Sequence, residues 1–428
     1  MLARLDLRGV SGDLRAALAR PADAAVDVSA TVADIIATVR ARGDAALREL
    51  TAKFDGVELD DLEVWTTEIE DAPNQVAPGL MAALELARDQ ILAWHEAQRE
   101  KEARHERLGV EVRELVVPVE RAGCYVPGGR ATYPSSVLMT ALPARVAGVQ
   151  QVVLCVPPDS DGHVAPAVLA AAKVAGVDAV YRVGGAQAIA ALAFGTETIA
   201  PVDVIVGPGN AYVAEAKRQV FGVVGIDGIA GPSEVAIVAD QTVDPAWVAA
   251  DLLAQAEHGP GGAVTLIVWD DAVAERVDLA LETLLLATAR RADAESTLQA
   301  GGRVIFVEDA GRAVDVANAI APEHLELMCE DAALLVPLVR HAGAVFVGPY
   351  APAVLGDYVA GTNHVLPTGG TARFASALRV ADFQKHVHVV CADAAAFERV
   401  ADATRTIAMT EGLQAHADAV RLRQEGPQ

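Results

Sequence analysis

The chain is poor in positive charge and in cysteine. It has 34 Lys and Arg residues against 58 Asp and Glu residues, which gives a formal net charge of -24. An acidic surface of this kind repels nucleic acid and anionic membranes, so neither is expected as a partner. Four cysteines in 428 residues do not indicate a disulfide framework.

Signals for export and for membrane insertion are also lacking. Residues 1–10 carry Arg4, Asp6 and Arg8 where a signal peptide would have an apolar core. The most apolar stretches, residues 183–196 and 342–356, contain Gly or Pro and are shorter than the ~18 residues of a membrane span. We therefore expect a cytoplasmic protein with no membrane partner.

Short β-branched runs alternate with Ala-rich stretches from Gln150 onward, and this order predicts an α/β fold with parallel sheets covered by helices. The predicted strands are residues 152–156, 179–183, 202–206, 234–238, 264–269, 304–307 and 344–347. The predicted helices are residues 165–175, 186–194, 210–220 and 244–258, a long helix ending at Gln299, and residues 310–320. The sequence of residues 204–208 is echoed at 345–349, which hints at two related α/β halves.

Polar side chains follow two of the predicted strands in Gly-rich turns. Gln187 ends the segment Gly184–Gln187 and Asn210 ends the segment Gly207–Asn210, each near the opening of a helix. Free backbone N–H groups at such positions favour a phosphate. No G-x-G-x-x-G fingerprint is present, so each turn alone also fits an ordinary strand-to-helix connection.

A second polar cluster lies at the end of the predicted helix 244–258. Val248, Leu252 and Gln255 are spaced to share one helix face, so Gln255 is predicted to point inward, with His258 near the same face. Polar groups on a buried face need partners. A metal ion would satisfy both residues, and so would internal hydrogen bonds.

Glu323 and His324 are adjacent, and such a pair can exchange protons near neutral pH if burial raises the pKa of the carboxyl group. Neighbouring side chains diverge, so the two would act on different protons. As a dipeptide alone the pair is unspecific, because exposed Glu–His neighbours are common.

The remaining candidates lie in the last quarter of the sequence. Asp357 is predicted in a Gly-rich loop, as an oxygen ligand or as a solvated carboxylate. Thr410 is predicted to cap a helix on which His416 faces apolar surroundings, either as a ligand or as a core histidine. Glu411 would not share that side and would need a contact of its own.

Together these segments resemble the histidinol dehydrogenase family. The resemblance runs from about residue 20 to about residue 423. The matching segments are Tyr125–Gly129, Gly184–Gln187, Gly207–Asn210, Gly231–Glu234, Gln255–Pro260, Pro322–Leu325, Gly356–Tyr358, Gly361–Pro367 and the pair Glu411 and His416. So many motifs in register are far more specific than any one of them.

The resemblance implies a zinc-dependent dehydrogenase that uses two NAD to oxidise L-histidinol through L-histidinal to L-histidine, the last step of histidine biosynthesis. The zinc ligands it implies are Gln255, His258, Asp357 and His416, and the acid–base pair is Glu323 and His324. The implied substrate contacts are Ser233, His324 and Glu411 together with the four zinc ligands. The implied NAD contacts are Tyr125, Gln187 and Asn210.

The resemblance also implies a homodimer with one Zn2+ per subunit, in which the C-terminal segment contributes its ligand to the partner's site. The fold it implies has two Rossmann-like parallel-sheet domains, one inserted in the other, plus helical N- and C-terminal segments. The NAD-contacting domain would be residues 125–233, inserted into a larger α/β domain of residues 20–124 and 234–378. Helical segments would be residues 1–19, which match nothing in the family, and residues 379–428, which would pack on the partner.

Two other functions are compatible with parts of the pattern. One is a related NAD-dependent dehydrogenase of another alcohol, such as a sulfonated propanediol; Glu411 and His416 weigh against it, because they belong to the end of the site for an amine and an imidazole. The other is a zinc-binding oligomer without catalysis, and the intact pair Glu323 and His324 weighs against that.

Overall fold

The computed structural model describes residues 2–18, 27–128, 131–259 and 261–426. The chain divides into two compact units, one of residues 1–98 and 120–383 and one of residues 99–119 and 384–428. The motif residues Gly129 and Pro260, and the predicted boundary at residues 19 and 20, lie outside the described residues.

The strands are β1 (Ala3–Asp6), β2 (Ala103–Arg107), β3 (Val110–Pro118), β4 (Arg121–Tyr125), β5 (Gln151–Val156), β6 (Ala179–Arg182), β7 (Val204–Val206), β8 (Gly225–Ile226), β9 (Glu234–Ala239), β10 (Ala263–Val268), β11 (Gly302–Phe306), β12 (His324–Met328), β13 (Ala344–Val347) and β14 (Gln384–Cys391). The helices are α1 (Leu14–Ala17), α2 (Ser29–Phe54), α3 (Thr66–Asp71), α4 (Pro78–Glu96), α5 (Pro134–Ala147), α6 (Pro166–Ala175), α7 (Gly185–Phe194), α8 (Ala211–Val220), α9 (Pro245–Ala256), α10 (Asp271–Leu285), α11 (Arg291–Gly301), α12 (Ala310–Ile320), α13 (Ala332–Leu335), α14 (Ala353–Tyr358), α15 (Ala394–Thr410) and α16 (Gln414–Glu425). None of these helices is both long and apolar enough to cross a membrane.

A five-stranded parallel sheet in the order β6-β5-β4-β7-β8 is built from residues 121–226. Helices α2, α7 and α8 share one apolar core with the inward side chains of this sheet. Helix α7 is buried on nearly every side, because its Ala-rich sequence offers no polar face. The sheet confirms the predicted βα alternation between residues 151 and 220.

A six-stranded parallel sheet in the order β1-β11-β10-β9-β12-β13 is built from strands that precede and follow the first sheet in sequence. Helices α9, α10 and α11 cover one face, and α1 and α12 cover the other. The two parallel sheets with covering helices confirm the predicted α/β class. The finer division at residues 125–233 stays a prediction.

Several elements of this unit differ from the sequence-based expectation, which also lacked strands β4 and β8. The N-terminal segment, predicted as helical, contains α1 but also β1, whose residues form an edge strand beside β11. The long helix predicted to end at Gln299 is two helices, α10 and α11. Strand β12 was not predicted, because His324 and Glu326 interrupt what would otherwise be an apolar run.

The second unit contains an antiparallel sheet in the order β14-β3-β2, followed by α15 and α16. The C-terminal segment, predicted as helical, thus begins with strand β14. Among its described residues this unit buries only small or β-branched side chains, namely Ala396, Ala401, Ala408, Ala417 and Val420. Larger apolar side chains are exposed, including Val390, Ile407, Met409, Leu413 and Leu422.

Candidate active site

Strand β12 places Glu323 and His324 side by side at the amino end of the six-stranded sheet. His324 is the first residue of β12, where it pairs in register with Val235 of β9 and Ala344 of β13. Both Glu323 and His324 are only 5% exposed. Sequence reasoning left open whether this pair is a surface dipeptide, and the structure places it in the interior.

The main chain of one residue, Glu234, holds both side chains. The backbone N–H of Glu234 donates to Oε2 of Glu323 at 2.8 Å. The backbone carbonyl of Glu234 lies 3.0 Å from Nδ1 of His324. A carbonyl can only accept, so Nδ1 carries a hydrogen and Nε2 is the ring nitrogen directed toward Asp357, whose Oδ1 is 3.6 Å away.

The electrostatics of the pair follow from burial and from Asp357. Burial raises the pKa of Glu323 to about 7, against the opposing effects of His324 and the Glu234 N–H. Burial would lower the pKa of His324, but the Asp357 carboxylate beside Nε2 and the charge of Glu323 raise it to about 9. Burial would likewise raise the pKa of Asp357, yet His324 outweighs it and the pKa is lowered. Asp357 thus controls whether His324 holds its proton near neutral pH.

Gln255 lies on α9, His258 just beyond the end of that helix, and Asp357 on α14. Gln255 is buried, which confirms the predicted inward direction, and its Nε2 has no hydrogen-bond partner among the described residues. His258 follows the end of α9 and is exposed, so the prediction that it shares the buried face is wrong. Although the residue as a whole is exposed, neighbouring atoms desolvate its ring and lower the pKa of His258, while the charge of Asp357 acts in the opposite direction. Asp357 lies on α14 and not in the predicted loop.

These three residues fit a divalent transition metal by the chemistry of their donors. They offer an amide oxygen, an imidazole and a carboxylate, and the amide of Gln255 is buried with an unsatisfied atom. Within residues 2–18, 27–128, 131–259 and 261–426 there is no group of three or more His, Cys, Asp and Glu that could hold a metal. The described His, Cys, Asp and Glu side chains therefore do not form a complete set of metal ligands. A complete set requires Gln255 and one further ligand.

Glu411 and His416 lie in the second unit, and both are exposed. Helix α16 starts at Gln414 with Leu413 as its N-cap, while Thr410 is the last residue of α15. The prediction that Thr410 caps this helix is wrong, and so is the prediction that His416 faces apolar surroundings. The buried residues of α16 are Ala417 and Val420.

Tyr125, Gln187 and Asn210 lie at or just beyond the carboxyl ends of β4, β6 and β7. The Tyr125 hydroxyl accepts a hydrogen bond from the Gly185 N–H at 3.0 Å, at the start of α7. Gln187 is buried in the first turn of the same helix. Asn210 is the N-cap of α8, and its side-chain oxygen accepts from the Tyr212 and Val213 N–H groups. The prediction that Gln187 and Asn210 sit at helix openings is confirmed.

The turn before Asn210 requires a glycine and is held by a buried ion pair. Gly207 has φ +115°, and a Cβ there would lie 2.1 Å from the Tyr125 carbonyl oxygen. The Lys217 ammonium donates to the Gly207 carbonyl at 3.0 Å and pairs with Asp227, which accepts from the Gly207 N–H at 2.7 Å. The Lys217 and Asp227 side chains are 3% and 5% exposed.

Replacing Lys217 with methionine is expected to lower the free energy of unfolding by about 3–5 kcal/mol, because Asp227 is left buried and unpaired. Urea unfolding measures the change. The matched control is K173M, since Lys173 forms an exposed pair with Glu70 at 3.7 Å and should lose about 1 kcal/mol or less. Equal losses in the two variants would contradict this account of the turn.

Sequence reasoning did not identify several side chains that complete the site. His364 bridges two elements, with Nδ1 2.9 Å from the Asp357 carbonyl and Nε2 3.1 Å from the Ser136 hydroxyl. Glu326, two residues after His324, was given no role. Ser233, a predicted substrate contact, is half-buried directly before β9. Nothing in the local sequence around Ser136 signals its proximity to this site.

Comparison with known proteins places most of the chain in one family. Residues 18–424 match the family model for histidinol dehydrogenase. The histidinol dehydrogenase of Rhizobium meliloti is 50% identical over 414 residues, covering 96% of this chain and 95% of the relative. That of Synechococcus sp. is 51% identical over 410 residues, covering 94% of each chain. A crystal structure of histidinol dehydrogenase from Elizabethkingia anophelis is 35% identical, with a TM-score of 0.94 and coverage of 99% of this chain and 98% of that chain.

Proposed function

Because the chain belongs to the histidinol dehydrogenase family, we propose that it oxidises L-histidinol through L-histidinal to L-histidine with two NAD. The observation that carries the proposal is the buried pair of Glu323 and His324 on the main chain of Glu234, next to Asp357. A cytoplasmic location stays a prediction.

The reaction removes two hydrides and adds one water, and the pair divides the proton transfers. His324 accepts the proton of the alcohol through Nε2 as the first hydride leaves for NAD, which requires the neutral imidazole. Glu323 then accepts a proton from the water that adds to the aldehyde carbon. Burial brings the pKa of Glu323 to about 7, so a large share of the carboxyl groups can act as a base near neutral pH. Because Glu323 has taken that proton, the product of addition is the hydrate anion; its hydride leaves for the second NAD, and the carboxylic acid is formed.

Tyr125, Gln187 and Asn210 are the proposed NAD contacts. All three lie beside the openings of α7 and α8, where backbone N–H groups favour the pyrophosphate. Asn210 uses its side-chain oxygen as an N-cap, so its amide nitrogen is the group that would donate to the cofactor. The same place would accept a second NAD after the first NADH leaves.

Gln255, His258 and Asp357 would hold the zinc ion, together with His416 of the partner subunit. Zinc would supply a template that binds the imidazole and amine nitrogens of the substrate and keeps the aldehyde from escaping. Asp357 would then no longer pair with His324 alone, which favours the neutral imidazole that the first step needs. Ser233 and the partner's Glu411 complete the proposed substrate contacts.

A homodimer is the proposed assembly. Glu411 and His416 are exposed in the single chain, beside the exposed apolar side chains Ile407, Met409 and Leu413. Exposed apolar side chains of this density are typical of a subunit interface. The arrangement supports a C-terminal segment that packs on a second copy and completes its site.

Limiting histidinol with excess NAD is expected to yield two NADH per histidinol, because the aldehyde is held through both steps. Absorbance of NADH and mass spectrometry of the product measure the yield. A panel that includes a sulfonated propanediol serves as the comparison. One NADH per histidinol with release of histidinal, or a higher kcat/KM for another alcohol, would contradict the proposal.

A further inference from the structure

Glu326 is a buried carboxyl group that the proposed reaction does not use. It is 1% exposed and lies two residues after His324 on β12, so both side chains leave the same face of the strand. Its register partners are Ile237 of β9 and Phe346 of β13, which are apolar. A carboxylate in such surroundings is costly unless its oxygens are hydrogen-bonded.

One oxygen of Glu326 anchors the helix that carries Asp357. Oε1 accepts a hydrogen bond from the Ala353 N–H at 2.8 Å. Ala353 is the first residue of α14, and Asp357 lies one turn later, with Oδ1 3.6 Å from Nε2 of His324. Helix α14 therefore contacts β12 at two points, through Glu326 and through His324.

The Glu326 carboxyl group also interacts with the helix that carries Gln255. The Asp251 carboxyl group of α9 acts on the Glu326 carboxyl group by its charge and as a hydrogen-bond neighbour. Yet Oε2 of Glu326 is buried without a donor among the described residues. Two ionised carboxylates cannot bond to each other, whereas one proton between them satisfies both. Asp251 precedes Gln255 by four residues, so the two side chains lie on the same face of α9.

We propose that Glu326 and Asp251 share one proton, and that this link positions α9 and α14 so that Gln255 and Asp357 meet beside His324. Glu326 is then a positioning residue that joins three elements of the site through one carboxyl group. The inference rests on the proposed function, because it assigns Glu326 and Asp251 to the organisation of the proposed zinc site.

The electrostatics agree with a single shared proton. Burial raises the pKa of Glu326, and the charge of Asp251 raises it further, while the Ala353 N–H and His324 act in the opposite direction. Burial also raises the pKa of Asp251. Near neutral pH one proton therefore stays on the pair.

Replacing Glu326 with an amide or with an apolar residue distinguishes its proposed positioning role from a simple packing role. E326Q keeps an acceptor for the Ala353 N–H and gains an amide that donates to Asp251, so it preserves the link without a shared proton. E326L removes the link. The matched control is L327A, because Leu327 is fully buried on the opposite face of β12; it lowers stability without touching the link.

The first measurement is zinc affinity of the purified full-length protein, by competition with a chelator. E326L is expected to bind zinc roughly 10–100-fold more weakly than wild type, while E326Q and L327A stay close to wild type. As the pH rises above neutrality, the affinity of wild type should fall relative to E326Q, because only wild type has a proton to lose from the pair. Equal affinities for E326L and L327A would overturn the inference.

The second measurement is the infrared spectrum of the metal-free protein, which tests the proton directly. The carbonyl stretch of a protonated carboxyl group should weaken in both E326Q and D251N relative to wild type. An unchanged band in both variants would overturn the shared proton. If wild type binds no zinc but the infrared difference is present, the zinc proposal fails while the shared proton stands.

Discussion

Replacing His324 with alanine is expected to lower NADH formation from histidinol by roughly 10²–10⁴-fold, the usual contribution of a positioned base. Nδ1 of His324 is held by the Glu234 carbonyl, and Nε2 is directed into the site beside Asp357. The alanine variant has no group to accept the alcohol proton. The proposed zinc ligands are untouched, so metal content should stay at the wild-type level. Steady-state kinetics and metal analysis on the same preparation test both statements.

The control for this variant is H163A. His163 is exposed in a loop outside the site, so the H163A variant should retain full activity.

E323Q separates the two halves of the reaction. The amide introduced by E323Q can still accept from the Glu234 N–H but cannot deprotonate water, so oxidation of added histidinal should fall far more than oxidation of histidinol. Equal losses for both substrates would contradict the division of labour between Glu323 and His324, and H324A with normal turnover would contradict the base assignment.

Coexpression of an H258A chain with an H416A chain is expected to restore activity that neither variant has alone. If His416 completes the partner's site, each mixed dimer has one site with both lesions and one intact site. With random pairing about half of the dimers are mixed, so about a quarter of all sites are intact. Differently tagged chains, purified through both tags, allow the activity of the mixed dimer to be measured directly.

The outcome distinguishes the two placements of His416. If His416 acted within its own chain, every site of the mixed dimer would carry one lesion and no activity would return. H388A serves as the control, because His388 is also exposed in the second unit and its loss should leave the homodimer active. Activity of the H416A homodimer itself would contradict the ligand assignment of His416.

Much of the α/β core could be predicted because its strands are buried on both faces and therefore appear as continuous apolar runs. Strand β12 escaped this pattern, since His324 and Glu326 occupy alternate positions in a fully buried strand. The interruption is itself informative, because polar residues in a central strand are expected where they contribute to a site. Strands β1 and β14 were missed for another reason: each contains charged residues and pairs at a position that only the tertiary fold defines.

The candidate site could be predicted in part. Helical spacing placed Gln255 inward, but the end of α9 leaves His258 exposed beyond the last turn. The start of α16 was misplaced because Thr410 is a good capping residue, whereas the chain continues α15 through it. The links from Glu326 to Ala353 and Asp251 join residues 27 positions apart and more in sequence, and no local pattern encodes such contacts.

Both proton-carrying side chains are attached to main-chain atoms of residue 234. Every amino acid supplies that carbonyl, and every one except proline supplies that N–H group. Replacing Glu234 by any residue except proline would therefore change only its side chain. The main-chain contacts to Glu323 and His324 would remain. The Glu234 side chain has a separate effect: it accepts a hydrogen bond from the Gly369 N–H, and its charge raises the pKa of Glu323.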